Sequence, residues 1–139
     1  MTITVVGGEP SGLASMVADL IEQNLARDPT RTALLRRSVA VLDATDADVT
    51  VFLRIARDGV RVGDGDVPDA HLRIGSDSGR LLGLTTAPLR GGLPDPRRPE
   101  GRAIVGDLLR GRIRIRGLLR HPVRLVRLTR LLTVADGDP

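Results

Sequence analysis

The 139-residue chain has no cysteine, no tryptophan, no tyrosine and no lysine, and Phe52 is its single aromatic ring apart from two histidines. Without cysteine there are no disulfides and no thiolate metal sites, which fits a cytoplasmic protein. Without aromatic rings there are no stacking platforms of the kind that hold single-stranded nucleic acid, and any core must be aliphatic. No apolar run approaches the roughly 20 residues of a membrane span. The opening "MTITVVGGEPSG" lacks the basic start and long apolar stretch of a signal peptide. All 21 basic residues are arginine, a choice expected of a GC-rich genome.

What is present suffices for one aliphatic-cored domain over 1–139, since a chain of this size buries roughly 70% of its unfolded surface. Residues 1–9 and 135–139 are expected to be flexible tails, and 88–101 a long Pro/Gly-rich loop. Charge is divided along the chain. Residues 1–70 hold seven arginines and eleven acids, net −4, whereas 71–139 hold fourteen and six, net +8. The basic half suits an anionic partner or simply a solvated arginine surface.

Helical periodicity is clearest over 12–26, where Leu13, Met16, Val17, Leu20, Ile21 and Leu25 form one stripe behind Ser11 as N-cap. Asp28 and Pro29 open a short second helix to about Arg37. Alternation then takes over around 39–41, 49–56, 60–62, 70–74 and 113–115, with "RDG" at Arg57–Gly59 as a tight turn. Five short strands with one apolar side predict an α+β fold: a five-stranded, largely antiparallel sheet, one face wet and the other covered by about five helices. Further helices are expected after a Ser76/Asp77 cap, over "GRAIVGDLLRG", and from Pro122 onward. "DATDAD" and "GDGDVPD" read as polar turns; neither has the terminal Glu of a calcium loop.

The arginine-rich stretch "GRIRIRGLLRHPVRLVRLTRLL" resolves into strand, turn and helix. Together with "PDAHLRIGSDSGRLLGL" it resembles the sterol carrier protein-2 (SCP2) sterol-binding domain. The matching pieces are Asp69–Ile74, Ser76–Leu84, the strand Gly111–Gly117 and the helix Leu118–Leu132. This sequence departs from the family in its aromatic poverty, in Leu118 where the family often has an acid, and in the loop "GGLPDPRRPEGR". The resemblance implies a hydrophobic tunnel between sheet and helices for a lipid, sterol or fatty acyl chain. It implies a non-catalytic carrier or presenter, a class that includes accessory proteins of biosynthetic enzymes. The residues expected to line the cavity are Leu81, Leu84, Leu89, Leu93, Ile104, Val105, Leu108, Leu109, Leu119, Val123 and Val126, with the loop around Gly91–Gly101 as its mouth.

A different class of function stays open: a basic interaction module with a solid core. Arg54, Arg61, Arg73, Arg112, Arg114 and Arg116 would share the wet sheet face and meet an acidic protein or an anionic membrane. The absence of stacking rings and of a helical scaffold argues against nucleic acid, and a homodimer is left open. "ITVVGGEPSGLA" superficially follows the dinucleotide fingerprint. However, Glu9 occupies the position that must admit a pyrophosphate, and no ribose-binding acid follows, so no cofactor is expected. His71 is expected to face solvent and His121 to begin a helix. Two isolated histidines make no catalytic set, and neither a catalytic residue nor a metal site is assigned.

Overall fold

The computed structural model describes residues 2–6, 11–86, 89–90 and 93–133. Its frame is a mixed sheet of six strands: β1 (Thr2–Val6), β2 (Ser38–Ala44), β3 (Val49–Ala56), β4 (Gly59–Asp64), β5 (Leu72–Ser76) and β8 (Arg114–Arg116). They lie in the order β1-β4-β3-β2-β5-β8. Four α-helices are present among the described residues: α1 (Gly12–Arg27), α2 (Ser78–Thr86), α3 (Pro99–Leu109) and α4 (Pro122–Leu132), with a 3-10 helix over Pro29–Leu34.

The sheet has one strand more than expected. Thr2–Val6 pairs in parallel with β4, from Thr2↔Gly59 to Val6↔Gly63, so most of the stretch read as a tail is an edge strand. Its partner is remote in sequence, which no local pattern signals. β2 and β5 are also parallel, while β2–β3, β3–β4 and β5–β8 are antiparallel. The strand read at 70–74 is shifted to Leu72–Ser76. The segment read as a loop over 88–101 contains a small ribbon, β6 (Leu89–Arg90) with β7 (Leu93–Pro94), and the first turn of α3. The glycine turn near Glu9 and the 135–139 tail lie outside the described residues.

The helix caps follow from short side chains at defined places. Ser11 Oγ accepts from the Ala14 N–H at 3.1 Å, and Asp28 accepts from the Thr30 N–H at 3.2 Å. Asp77 rather than Ser76 caps α2, through the Arg80 N–H at 2.8 Å, because Ser76 ends β5. α4 starts at Pro122, not at Leu118. His121, preceding proline, is held away from helical angles at φ −132°, ψ 53°, so 118–120 remain a turn.

One apolar cluster joins the helices to the sheet. α1 contributes Ala14, Val17, Ala18, Ile21 and Leu25, and α4 contributes Leu125, Leu128 and Leu131. The sheet contributes Leu42, Val51, Leu53, Val62, Leu72 and Ile74. Asn24, buried among them, donates through Nδ2 to the Leu131 carbonyl at 3.0 Å. This ties the C-terminal part of α1 to the last turn of α4. Arg31 reinforces the tie by donating to the Thr133 carbonyl at 2.7 Å.

The opposite sheet face is wet only in part. The connection 65–71 must cross β3 and β2 to join the parallel strands β4 and β5, and it packs over the face away from the helices. There Val67 covers Val39 and Val41, with Phe52 and Ala70 alongside. "GDGDVPD" is therefore a strap with a buried valine as well as a polar turn. Asp66 pairs with Arg73, and Asp69 binds Arg54 bidentately at 2.7 and 3.0 Å. β2 is consequently buried at every position but Asp43.

Gly117 closes the sheet edge. Its φ is +90°, and a Cβ there would stand 2.1 Å from the His71 carbonyl oxygen. Gly111 has φ +75° but open space around it. Gly117→Ala is expected to destabilise by at least about 2 kcal/mol, from strain plus backbone clash. Gly111→Ala should cost only about 1 kcal/mol. Urea midpoints read both, and equal losses would contradict this packing.

Candidate functional site

Toward the N-terminal half of α1, beyond the Asn24 tie, the helices leave an apolar pocket of about 160 Å³. α1 supplies Leu13, Met16, Val17 and Leu20; the sheet supplies Leu42 and Ile74. α2 supplies Leu81, Leu82, Leu84 and Thr85, and α4 supplies Leu128, Thr129 and Leu132. Met16 and Leu82, 40% and 45% exposed, form its solvent-facing rim. Both threonine hydroxyls turn back to their own helices: Thr85 Oγ1 donates to the Leu82 carbonyl at 2.7 Å and Thr129 Oγ1 to the Val126 carbonyl at 2.9 Å. No charged side chain lines the pocket. It therefore offers dispersion and exclusion of water, and no group for acid–base or nucleophilic chemistry.

Of the residues expected to line a cavity, the structure brings Leu81 and Leu84 to this pocket. Ile104 is buried in the common core, with Leu108 packed partly against it. Val105 and Val126 are half-buried away from the pocket. Leu109, Leu119 and Val123 face solvent instead: Leu109 at the end of α3, Leu119 in the turn that replaces the expected helix before Pro122, and Val123 on the outer side of the first turn of α4. Leu89 and Leu93 belong to the β6–β7 ribbon, and their side chains lie outside the described residues. The expected mouth at Gly91–Gly101 contributes no lining residue among those described. Gly101 instead lets α3 pack on the backbone of Asp95. The α1 side of the pocket was missed. Its signal is the 12–26 stripe, which reads as the apolar face of a helix and is not included in the expected lining.

The arginines divide by partner. Arg54 and Arg73 are held by Asp69 and Asp66 of the strap, and Arg112 lies 3.5 Å from Asp107. Arg54 beside Asp69, and Arg73 beside Asp66, hold those carboxyls below the usual carboxylate range. Arg61, Arg114 and Arg116 form no ion pair among the described residues. Arg73, Arg112, Arg114 and Arg116 line an open groove of about 490 Å³ with Asp43 and Asp66. This groove lies across the sheet from the apolar pocket, so one small ligand cannot touch both. Arg112 precedes β8 rather than lying in a strand.

His71 does not simply face solvent. The Val39 N–H donates to its Nδ1 at 3.0 Å, while the His71 backbone N–H donates to the Val39 carbonyl at 2.8 Å. Its ring meets that of His121 edge-on at 5.1 Å, and Arg124 donates to His121 Nδ1 at 2.9 Å. The His71 Nδ1 acts as an acceptor, which requires that ring to be neutral at this nitrogen. Among the described residues no group of three or more metal-ligating side chains gathers, and no helix is long and apolar enough to cross a membrane.

A helix-covered mixed sheet with an apolar pocket between the layers defines the class: the chain has the SCP2-like fold. A solved structure described as "UbiJ-SCP2 Ubiquinone synthesis protein" matches it with a TM-score of 0.61 over 86% of this chain and 92% of that one, at 15% sequence identity. At that identity the likeness is one of fold. No protein-family model and no curated protein matches the sequence.

Burial, with Arg124, His121 and Arg37 nearby, depresses the His71 pKa below the ordinary imidazole value, against a smaller opposing pull from Asp69. The unfolded chain then takes up a proton that the folded chain refuses. Stability is full above about pH 6.5 and falls as pH drops below it, by at most about 1.4 kcal/mol per pH unit. Urea unfolding at about pH 7.5 and about pH 5.5 checks this in a window above the carboxylate range. His71→Asn, which keeps an acceptor but cannot titrate, should flatten the dependence. An unaltered slope in that variant would contradict the assignment.

Proposed function

We propose that the chain is a non-catalytic carrier or presenter of a hydrophobic small molecule, seated in the pocket between α1, α2, α4 and the sheet. The observation that carries this reading is the pocket's chemistry: a void walled by aliphatic side chains, with its only hydroxyls turned to their own backbones. Such a void gains nothing from a polar ligand and about 0.8 kcal/mol from each buried CH₂. The description of the structural neighbour as a ubiquinone synthesis protein supports the same ligand class. Prenylated ring compounds fall within it, as do sterols and fatty acyl chains.

Size sharpens the proposal. At about 30 Å³ per water-sized group, the void of about 160 Å³ accepts about five carbons. Their burial is worth about 4 kcal/mol, which alone corresponds to a Kd of about a millimolar. A longer tail must part α1 from α2 at the Met16–Leu82 rim. The pocket as it stands is thus the inner end of a site that a long ligand enlarges.

A second reading keeps the basic sheet face as the functional one, docked on an acidic surface. Its support is the set of arginines without ion-pair partners: Arg61, Arg114 and Arg116. The two readings are compatible, because they use opposite faces of the sheet.

Affinity for a fluorescent-tagged alkyl series should rise about fourfold per CH₂ up to about five carbons. Leu20→Trp and Leu84→Trp, which fill the void from α1 and α2, should each lower uptake at least about tenfold while circular dichroism stays unchanged. Natively purified protein that yields no lipid to organic solvent and takes up no alkyl probe would rule the carrier reading out.

A further inference from the structure

Of the seven exposed large apolar side chains among the described residues, Val6, Met16, Leu82 and Leu109 lie apart from the other three, which lie together. Leu118, Leu119 and Val123 fall within six residues and are 37%, 96% and 62% exposed. They occupy the turn after β8 and the first turn of α4. The sheet register fixes where that turn lies: Arg116 pairs with Arg73 near the start of β5, and the His121 ring touches His71. The parallel strands β2, β4 and β5 all begin at this end of the sheet.

The same end gathers charge of one sign. Arg36 and Arg37 lead into β2, and Arg57 sits in the β3–β4 hairpin. With Arg61 and His71 they line one open groove of about 1,020 Å³. Arg116 and Arg120 flank the two leucines. Arg36, Arg37, Arg57, Arg116 and Arg120 are exposed, and none forms an ion pair among the described residues. The acids in the groove are Asp58, in the hairpin, and Asp69, which Arg54 already holds.

We propose that this end of the domain is a docking tip for an anionic bilayer surface, with Leu118, Leu119 and Val123 entering the interface and the surrounding arginines meeting lipid phosphates. Aliphatic prongs inside a basic collar fit a planar array of anionic head groups over hydrocarbon. They do not fit nucleic acid, because none of the three can stack on a base. An acidic protein would satisfy the collar but leave the exposure of Leu118, Leu119 and Val123 unexplained. The tip contains none of the pocket residues, so the proposal stands or falls separately from the carrier reading.

The test uses the full chain and vesicles of phosphatidylcholine with and without phosphatidylglycerol. The protein has no tryptophan, so Leu119→Trp places a sole reporter at the tip. Its emission should shift to the blue on the anionic vesicles and stay put on the neutral ones. Each arginine near an anionic surface is worth about a fivefold change in partition. Arg116→Glu with Arg120→Glu should therefore lower vesicle binding at least about 25-fold, and raised salt should lower it further. Leu119→Asp should lower it at least about tenfold. Arg116, Leu119 and Arg120 are exposed, so the variants keep the fold, and an unchanged circular dichroism spectrum verifies this independently of the carrier reading. Tip emission unmoved by anionic vesicles, or vesicle binding indifferent to Leu119→Asp, overturns the proposal. Binding to polyaspartate that ignores Leu119→Asp, with no vesicle binding, overturns it in favour of an acidic protein partner.

Discussion

Everything in this fold depends on joining helices to a sheet without a single aromatic ring between them. The one phenylalanine is on the other side: Phe52 lies over Gly63, where a Cβ would come within 2.6 Å of its ring, and packs under the strap with Val39, Val41 and Val67. Among the described residues the apolar side chains of the helix-side core are Leu, Ile, Val and Ala. Aliphatic side chains interdigitate well over short distances, but each fills a smaller volume than a ring. Where α1 and α4 are tied by Asn24 the layers close. Where α1, α2 and α4 meet without such a tie, the pocket remains.

The sheet therefore separates two chemistries. On one side is a void that recognises hydrocarbon. On the other, arginines are either occupied by the acids of the crossing strap or turned to solvent. The strap resolves an apparent contradiction in the sequence, which places valines at 39 and 41 on the same side as Arg54 and Arg73. Without Val67 above them those valines would be exposed on the central strand. Without Asp66 and Asp69 the neighbouring arginines would lack partners. One short crossing segment covers the apolar and the charged side chains together.

Much of the fold was legible in the sequence because its signals are periodic and local. The α1 stripe, the Ser11 and Asp28 caps, the Arg57–Gly59 hairpin and the alternation of β3 are each written within a few residues. β1 was not legible as part of the sheet, since its five residues acquire meaning only through a parallel partner far along the chain. The site was less legible still. Leu13, Met16 and Leu20 carry the same pattern as Ile21 and Leu25; whether a leucine packs or borders a void depends on shifts of an ångström or two in the backbone. Conversely, Leu119 and Val123 resemble core positions in a helical wheel. The His121–Pro122 pair holds Leu119 out of the helix, and Val123 is helical but sits on the outer side of its first turn.

That pair and Gly117 bound a segment with little freedom left. Proline fixes one end, a glycine seated against the His71 carbonyl fixes the other, and the His121 ring is wedged between His71 and Arg124. The loop entropy that a surface segment ordinarily gives up on association has here been surrendered during folding. Leu118 and Leu119 are presented in a preformed shape, so whatever touches them meets a rigid die rather than a segment that must first be moulded.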